Sequence, residues 1–238
     1  MITEFFYWKE YKNSECFLNF MGAYTQGKEG FLIFEYFTCT LEQALNGRLI
    51  KEENKPIIAQ SILRILESLQ KGKKIHRDFR PGNIGLTQKK EIKLLDFGKK
   101  SDKKGFLVNE NLTNCEYIDK FRAKYSPPES LINSGVMDIK NDIWSYGCIL
   151  IDIYSKENPI FKISITKKEI LESKKFPIIP KDINGLIKDI ISRCLDPNYD
   201  TRIDVNELLI LMNVFLDNSN KSNNIDFQKR ISKIKSLL

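Results

Sequence analysis

At 238 residues, 42% of them hydrophobic, the chain is long enough for one sizeable core or for two lobes sharing a cleft. It has no long uncharged apolar run, and its Met1-Ile2-Thr3-Glu4 start lacks a basic region leading into an apolar one, so neither a transmembrane segment nor a secretory signal is expected. Five scattered cysteines without metal-ligand spacing and a single histidine argue for reduced thiols in a cytoplasmic protein, and against zinc hydrolysis or a histidine-based nucleophilic triad. The net charge of +7 reads as solvated lysine faces; no nucleic-acid-binding motif accompanies it, so no nucleic-acid partner is expected.

Glu4 to Trp8 and the residues after them are expected to form a short helix. Phe31 to Phe37 reads as a buried strand, and Leu41 to Leu45 begins a short helix. Lys55 to Gln70 is amphipathic, with Ile58, Ile62, Ile65, Leu66 and Leu69 on one helical face. Ile84 to Leu86 and Ile92 to Leu95, separated by Gln88-Lys89-Lys90, predict a hairpin. Residues 99–128 are polar and lysine-rich, a long loop of the kind that is usually functional or disordered. Asp142 to Ile151 is apolar nearly all round and predicts a core helix. Further helices are expected near 166–174, 183–195 and 204–216, then a polar linker over 217–224 and a basic segment over 227–238. The order, a little strand in front and mostly helix behind, predicts an α+β fold.

The chemistry concentrates in His76-Arg77-Asp78-Phe79-Arg80-Pro81-Gly82-Asn83 and Leu94-Leu95-Asp96-Phe97-Gly98. The predicted hairpin lies between them and would bring Asp78, Asn83 and Asp96 to one end of the structure. Two acids and an amide gathered there can hold Mg²⁺ and receive a hydroxyl proton, which is what phosphoryl transfer needs.

These two stretches resemble the H-R-D-x-x-x-x-N catalytic loop and the D-F-G motif of protein kinases. The resemblance runs from about Leu18 to Phe215, in wording like that of the tyrosine-kinase-like group. Asn19 to Thr25 resembles the fourth strand of the kinase small lobe, and Phe31 to Phe37 the fifth strand running into the hinge, with Phe34 as gatekeeper. The resemblance implies a division into a small-lobe remnant over 1–37, a helical large lobe over 38–216, and a linker with a basic segment over 217–238.

It also implies roles. Backbone groups of Glu35 and Phe37 would bond the adenine of ATP. Asp78 would be the catalytic acid that accepts the substrate proton, Arg80 a cation facing the phosphoryl group in flight, and Asn83 and Asp96 the holders of Mg²⁺. His76 would stack on Phe97. Arg77 would pair with a phosphate on the activation loop, with Ser101, Thr113 and Tyr117 as acceptors. Glu129 of Tyr125-Ser126-Pro127-Pro128-Glu129 would pair with Arg202, and Asp142 would anchor the catalytic loop. Small-molecule phosphotransferases lack the segment around Glu129 and usually carry glycine at the position of Arg77, so a protein substrate is implied. Serine or threonine is the first expectation for the acceptor, tyrosine the second.

One departure bears on activity. The twelve glycines never take a G-x-G-x-x-G spacing, and no V-A-I-K strand lysine is present. Those parts cover and hold the phosphates. The alternative reading is therefore a catalytically impaired pseudokinase, a regulatory or decoy module that binds a kinase partner.

Overall fold

A computed structural model of the chain describes residues 8, 9, 11, 14–96, 124–131, 138–156 and 178–220. At the front lies an antiparallel hairpin of β1 (Phe20–Gln26) and β2 (Glu29–Phe34), in which Phe20 faces Phe34 and Gln26 faces Glu29. The expected single buried strand over Phe31–Phe37 is corrected here: the strand ends at Phe34, and Phe31 and Ile33 are 36% and 44% exposed. Successive strand side chains point to opposite faces, so one side of this two-stranded sheet meets the core while the other meets solvent. Leu32 and Phe34 take the inner side, where the Trp8 ring packs edge-on against Phe34 at 4.6 Å. Of the expected N-terminal helix, Trp8 and Lys9 are helical, and the rest lies outside the described residues.

The second sheet has the order β3-β4-β5, all antiparallel: β3 (Phe37–Thr40), β4 (Ile84–Thr87) and β5 (Ile92–Leu94). The hairpin β4–β5 is the one its sequence predicts. The chain leading to β1 runs beside it: Leu18 N–H donates to the Leu94 carbonyl and Leu94 N–H to the Cys16 carbonyl, both at 2.9 Å.

Behind the sheet is the helical mass. Helix α1 (Leu41–Asn46) starts from a reciprocal cap in which the Thr40 hydroxyl accepts from Gln43 N–H and the Gln43 amide oxygen accepts from Thr40 N–H. Helix α2 (Lys55–Lys71) buries Ile58, Ile62, Ile65, Leu66 and Leu69, as its period requires. After the short α3 (Pro128–Leu131) comes α4 (Ile139–Tyr154), capped by Asp138 and buried almost all round. It is bound to α2 by the Tyr146 hydroxyl, which donates to the Ala59 carbonyl at 3.0 Å. Gly147 lets α5 (Gly185–Cys194) approach: a β-carbon there would lie 2.7 Å from that of Cys194.

Helix α6 (Val205–Asn220) closes the lobe, with Leu208, Leu211 and Met212 in the core. It runs through the first residues of the expected polar linker, which corrects that boundary. Polarity ended the apolar face near Leu216 without ending the helix; Asn218 Nδ2 bonds back to the Val214 carbonyl at 2.6 Å. The expected helix over 166–174 and the basic segment over 227–238 lie outside the described residues. No helix among the described residues is long and apolar enough to cross a membrane.

Candidate active site

The site is built on the loop between α2 and β4. Its start is fixed from below by Asp142 at the N-terminal end of α4, whose two carboxylate oxygens accept the N–H groups of His76 (2.6 Å) and Arg77 (2.9 Å). Burial pushes this carboxyl above its usual range, against the opposing pull of those two N–H groups and of nearby positive charge. The clamp holds Arg77 at φ +67°, a left-handed conformation that a residue with a β-carbon adopts at a cost. His76 is buried, and Asp78 N–H donates to its Nδ1 at 3.3 Å. The ring proton therefore sits on Nε2, which donates to the Asp96 carbonyl at 2.6 Å. This bond ties the catalytic loop to the residue expected to hold metal. The ring packs edge-on against Phe79 at 5.8 Å, while the expected stack on Phe97 lies outside the described residues.

Asp78, Arg80 and Asn83 meet. Arg80 Nε lies 3.4 Å from Asp78 Oδ1. Asn83 Nδ2 donates to the Asp78 carbonyl at 2.8 Å and to Asp78 Oδ2 at 3.2 Å. Each carboxylate oxygen is thus oriented by a different neighbour. The amide nitrogen of Asn83 is spent on Asp78, and its Oδ1 accepts no hydrogen bond among the described residues. The Asp96 carboxylate likewise has no partner among them. These are hard oxygen donors of the kind Mg²⁺ takes, so the residues fit the ion.

Gly82 leaves room for the Arg80 side chain to lie close over the loop. A β-carbon on it would lie 2.5 Å from Arg80 Nη1 and 3.0 Å from Glu42 Oε2, so the guanidinium passes over a bare backbone.

Glu35 and Phe37 lie on the path from β2 to β3. The Glu35 backbone N–H is taken by the Asn19 carbonyl at 3.0 Å. Phe37 opens β3 opposite Thr87. The Glu35 side chain is engaged as well: Oε1 accepts Asn19 N–H and Lys93 Nζ, each at 2.8 Å. Burial raises the Glu35 carboxyl, but hydrogen bonds from Lys93 and Asn19 outweigh it and hold the group below its usual range. Lys93 is raised in turn, with the bond and charge of Glu35, helped by Glu91, overcoming its desolvation.

On the far side, Arg202 and Glu129 form the expected pair. Nη1–Oε1 is 2.6 Å and Nη2–Oε2 3.0 Å, with side chains 0% and 9% exposed. The candidate phosphate acceptors Ser101, Thr113 and Tyr117 lie outside the described residues.

Three polar features escaped the sequence reading: Glu42 at Gly82, the Glu35–Lys93 bridge, and a Lys124–Asp152 pair of 3.1 Å under Tyr125. Glu42 gave no signal of its own, because an acid in a first helical turn reads as ordinary dipole compensation. Lys93 inside Ile92–Leu95 and Asp152 inside Ile149–Ile153 did carry one: a lone charge within an apolar run needs a buried partner.

An acid held between a cation and an amide, with oxygen donors for a hard cation beside it, stands between the strands at the front and the helical lobe behind. Residues 1–211 match the family model described as the protein kinase domain, and the chain belongs to the protein kinase family. That family works with ATP and Mg²⁺. The chain is 28% identical over 179 residues to a probable serine/threonine-protein kinase nek2 of Dictyostelium discoideum, covering 71% of this chain and 40% of that protein. It is 30% identical over 165 residues to the serine/threonine-protein kinase PKH2 of Saccharomyces cerevisiae, covering 63% of this chain and 14% of that protein. The chain thus spans under half the length of these relatives.

Proposed function

We propose that this chain carries the catalytic lobe of a protein kinase that moves the γ-phosphoryl group of ATP to a serine or threonine hydroxyl of a protein, with tyrosine as the second acceptor. The observation that carries this reading is the Asp78 carboxylate, oriented by Asn83 Nδ2 on one oxygen and Arg80 Nε on the other. Asp78 takes the hydroxyl proton as the oxygen–phosphorus bond forms and the bond to the β-phosphate oxygen breaks. Arg80 faces the charge gathering on the phosphoryl oxygens. Asn83 Oδ1 and the Asp96 carboxylate would hold Mg²⁺, which when bound neutralises charge on the phosphates. The carbonyl of Glu35 and the backbone of Phe37 would take the adenine edge. Both named relatives are serine/threonine kinases, which favours that acceptor.

The test is calorimetric titration of ATP with and without Mg²⁺, beside phosphate incorporation into a generic protein substrate. The wild-type chain should bind in a metal-dependent way, and Asp96→Asn should lose that dependence. Asp78→Asn should keep binding but transfer at least about 100-fold more slowly, the usual contribution of a positioned base. Equal transfer by Asp78→Asn and wild type would refute the assignment. A folded chain that neither binds nor transfers would favour the regulatory-module reading.

A further inference from the structure

The short link that carries the chain from β2 to β3 has little packing to hold it. Phe34 packs against the core on one side and Phe37 opens β3 on the other, but the register of β3 is irregular between Phe37 and Cys39, and Tyr36 is 69% exposed. The link is fastened through Glu35. Its backbone N–H donates to the Asn19 carbonyl at 3.0 Å, and its Oε1 accepts Asn19 N–H and Lys93 Nζ, each at 2.8 Å. Both backbone groups of Asn19 are thus given to one residue of the link, and Lys93 completes the arrangement from the second sheet.

Lys93 is a firm anchor. Its side chain is 10% exposed, and it lies in β5 opposite Gly85 of β4. On the other edge of β5 the next residue, Leu94, bonds to Cys16 and Leu18 through both of its backbone groups. The same strand leads to Asp96, three residues on. One ammonium therefore ties the link to the strand that presents Asp96. Glu91 Oε2 also stands 3.5 Å from Lys93 Nζ. Without that ammonium, the carboxylates of Glu35 and Glu91 would face the place it held as like charges. Asn19 N–H would be the remaining donor to Glu35 among the described residues. The Glu35 side chain, 27% exposed, would then gain by turning to water, and the link would move with it.

We propose that Lys93 is a positioning residue for the nucleotide base: through the Glu35 carboxylate it fixes the Glu35–Phe37 backbone in the place where adenine is bonded, and it has no part in holding the phosphates. The proposal deepens the phosphotransfer reading and rests on its placement of adenine at Glu35 and Phe37.

The experiment titrates the full chain by calorimetry with two probes, adenosine for the base end of the site and magnesium tripolyphosphate for the phosphate end. The proteins are wild type, Lys93→Met and Lys93→Arg, with folding followed by circular dichroism. Lys93→Met should bind adenosine about tenfold more weakly, the scale of one charge-assisted hydrogen bond, and bind tripolyphosphate as wild type does. Lys93→Arg, which returns a cationic donor to Glu35 Oε1, should recover most of the adenosine affinity. In phosphate transfer, Lys93→Met should raise KM for ATP by the same factor and leave kcat unchanged. Lys93→Gln replaces Lys93→Met if the latter does not fold. Wild-type adenosine affinity in a folded Lys93→Met, or an equal loss for both probes as a general loosening would give, would overturn the inference and leave the phosphotransfer reading standing. A folded wild type that does not bind adenosine would overturn the placement of adenine and this inference with it.

Discussion

Replacing Arg202 with methionine should destabilise the large lobe by about 3–5 kcal/mol, the cost of leaving one member of a buried ion pair alone. The structure places the expectation toward the upper part of that range. The guanidinium makes two bonds to Glu129, at 2.6 and 3.0 Å, and also donates to the Asp196 and Lys140 carbonyls, each at 3.0 Å. It lies 5.0 Å from the centre of the Trp144 ring, a position methionine can fill in volume but not in charge. Glu129 would keep the neutral donor Asn141 Nδ2 at 3.0 Å but lose the guanidinium, and its carboxylate stays desolvated. Urea unfolding followed by far-ultraviolet circular dichroism measures the loss directly. Thermal melting should fall by roughly 6–20 °C, at about 2–4 °C per kcal/mol for a domain of this size. The double variant Glu129→Leu/Arg202→Met should recover much of the loss, because an apolar pair of similar volume replaces a buried ionic one at little cost. A single variant within about 1 kcal/mol of wild type, or a double variant as unstable as the sum of the singles, would refute the reasoning.

Gly82→Ala should leave the melting temperature nearly unchanged, since the atoms it meets are the ends of two flexible side chains. Phosphate transfer should nevertheless fall by at least about tenfold, because Arg80 must leave its place beside Asp78; unchanged transfer would remove Arg80 from the mechanism. Lys93→Met should weaken folding at neutral pH, and the difference from wild type should vanish in acid. Glu35 has a depressed carboxyl, so its contribution is present above the ordinary glutamate range near about pH 4.3 and is lost as pH falls through its folded value. Lys93, raised by the same bridge, shares that acid-side loss once Glu35 is protonated, and on the alkaline side loses its contribution as pH rises from about 10.4 through its folded value. Stability–pH curves of the two proteins that stay parallel down to pH 2 would show that this bridge contributes nothing.

What could be read in the sequence followed from period and spacing. The face of α2, the apolar girth of α4 and the β4–β5 hairpin each repeat over enough residues to leave one interpretation, and the Glu129–Arg202 and Asp142 contacts followed from the family motifs. The run Phe31–Phe37 misled because six apolar or aromatic residues out of seven look buried on both sides, whereas a two-stranded ribbon covers only one face and the chain breaks at Glu35 to reach Asn19 and Lys93. The end of α6 was missed for the converse reason: a helix outlasts its packed stripe when side chains such as Asn218 satisfy its carbonyls. Glu42 and the Lys124–Asp152 pair depend on contacts between segments far apart in the chain, which no local pattern encodes.

The pairing of Ile84 with Leu94 and of Leu86 with Ile92 fixes how Asn83 and Asp96 stand relative to each other, while the turn at Gln88–Lys90 is exposed at the opposite end of the ribbon. Length is therefore free at one end and locked at the other. A peptide epitope or a small fluorescent reporter inserted between Lys89 and Lys90 would be carried as cargo on the tip. A single residue inserted within either strand would turn every later side chain to the wrong face and separate Asn83 from Asp96. The hairpin is thus a natural handle by which this kinase could be tagged while its chemistry is left intact.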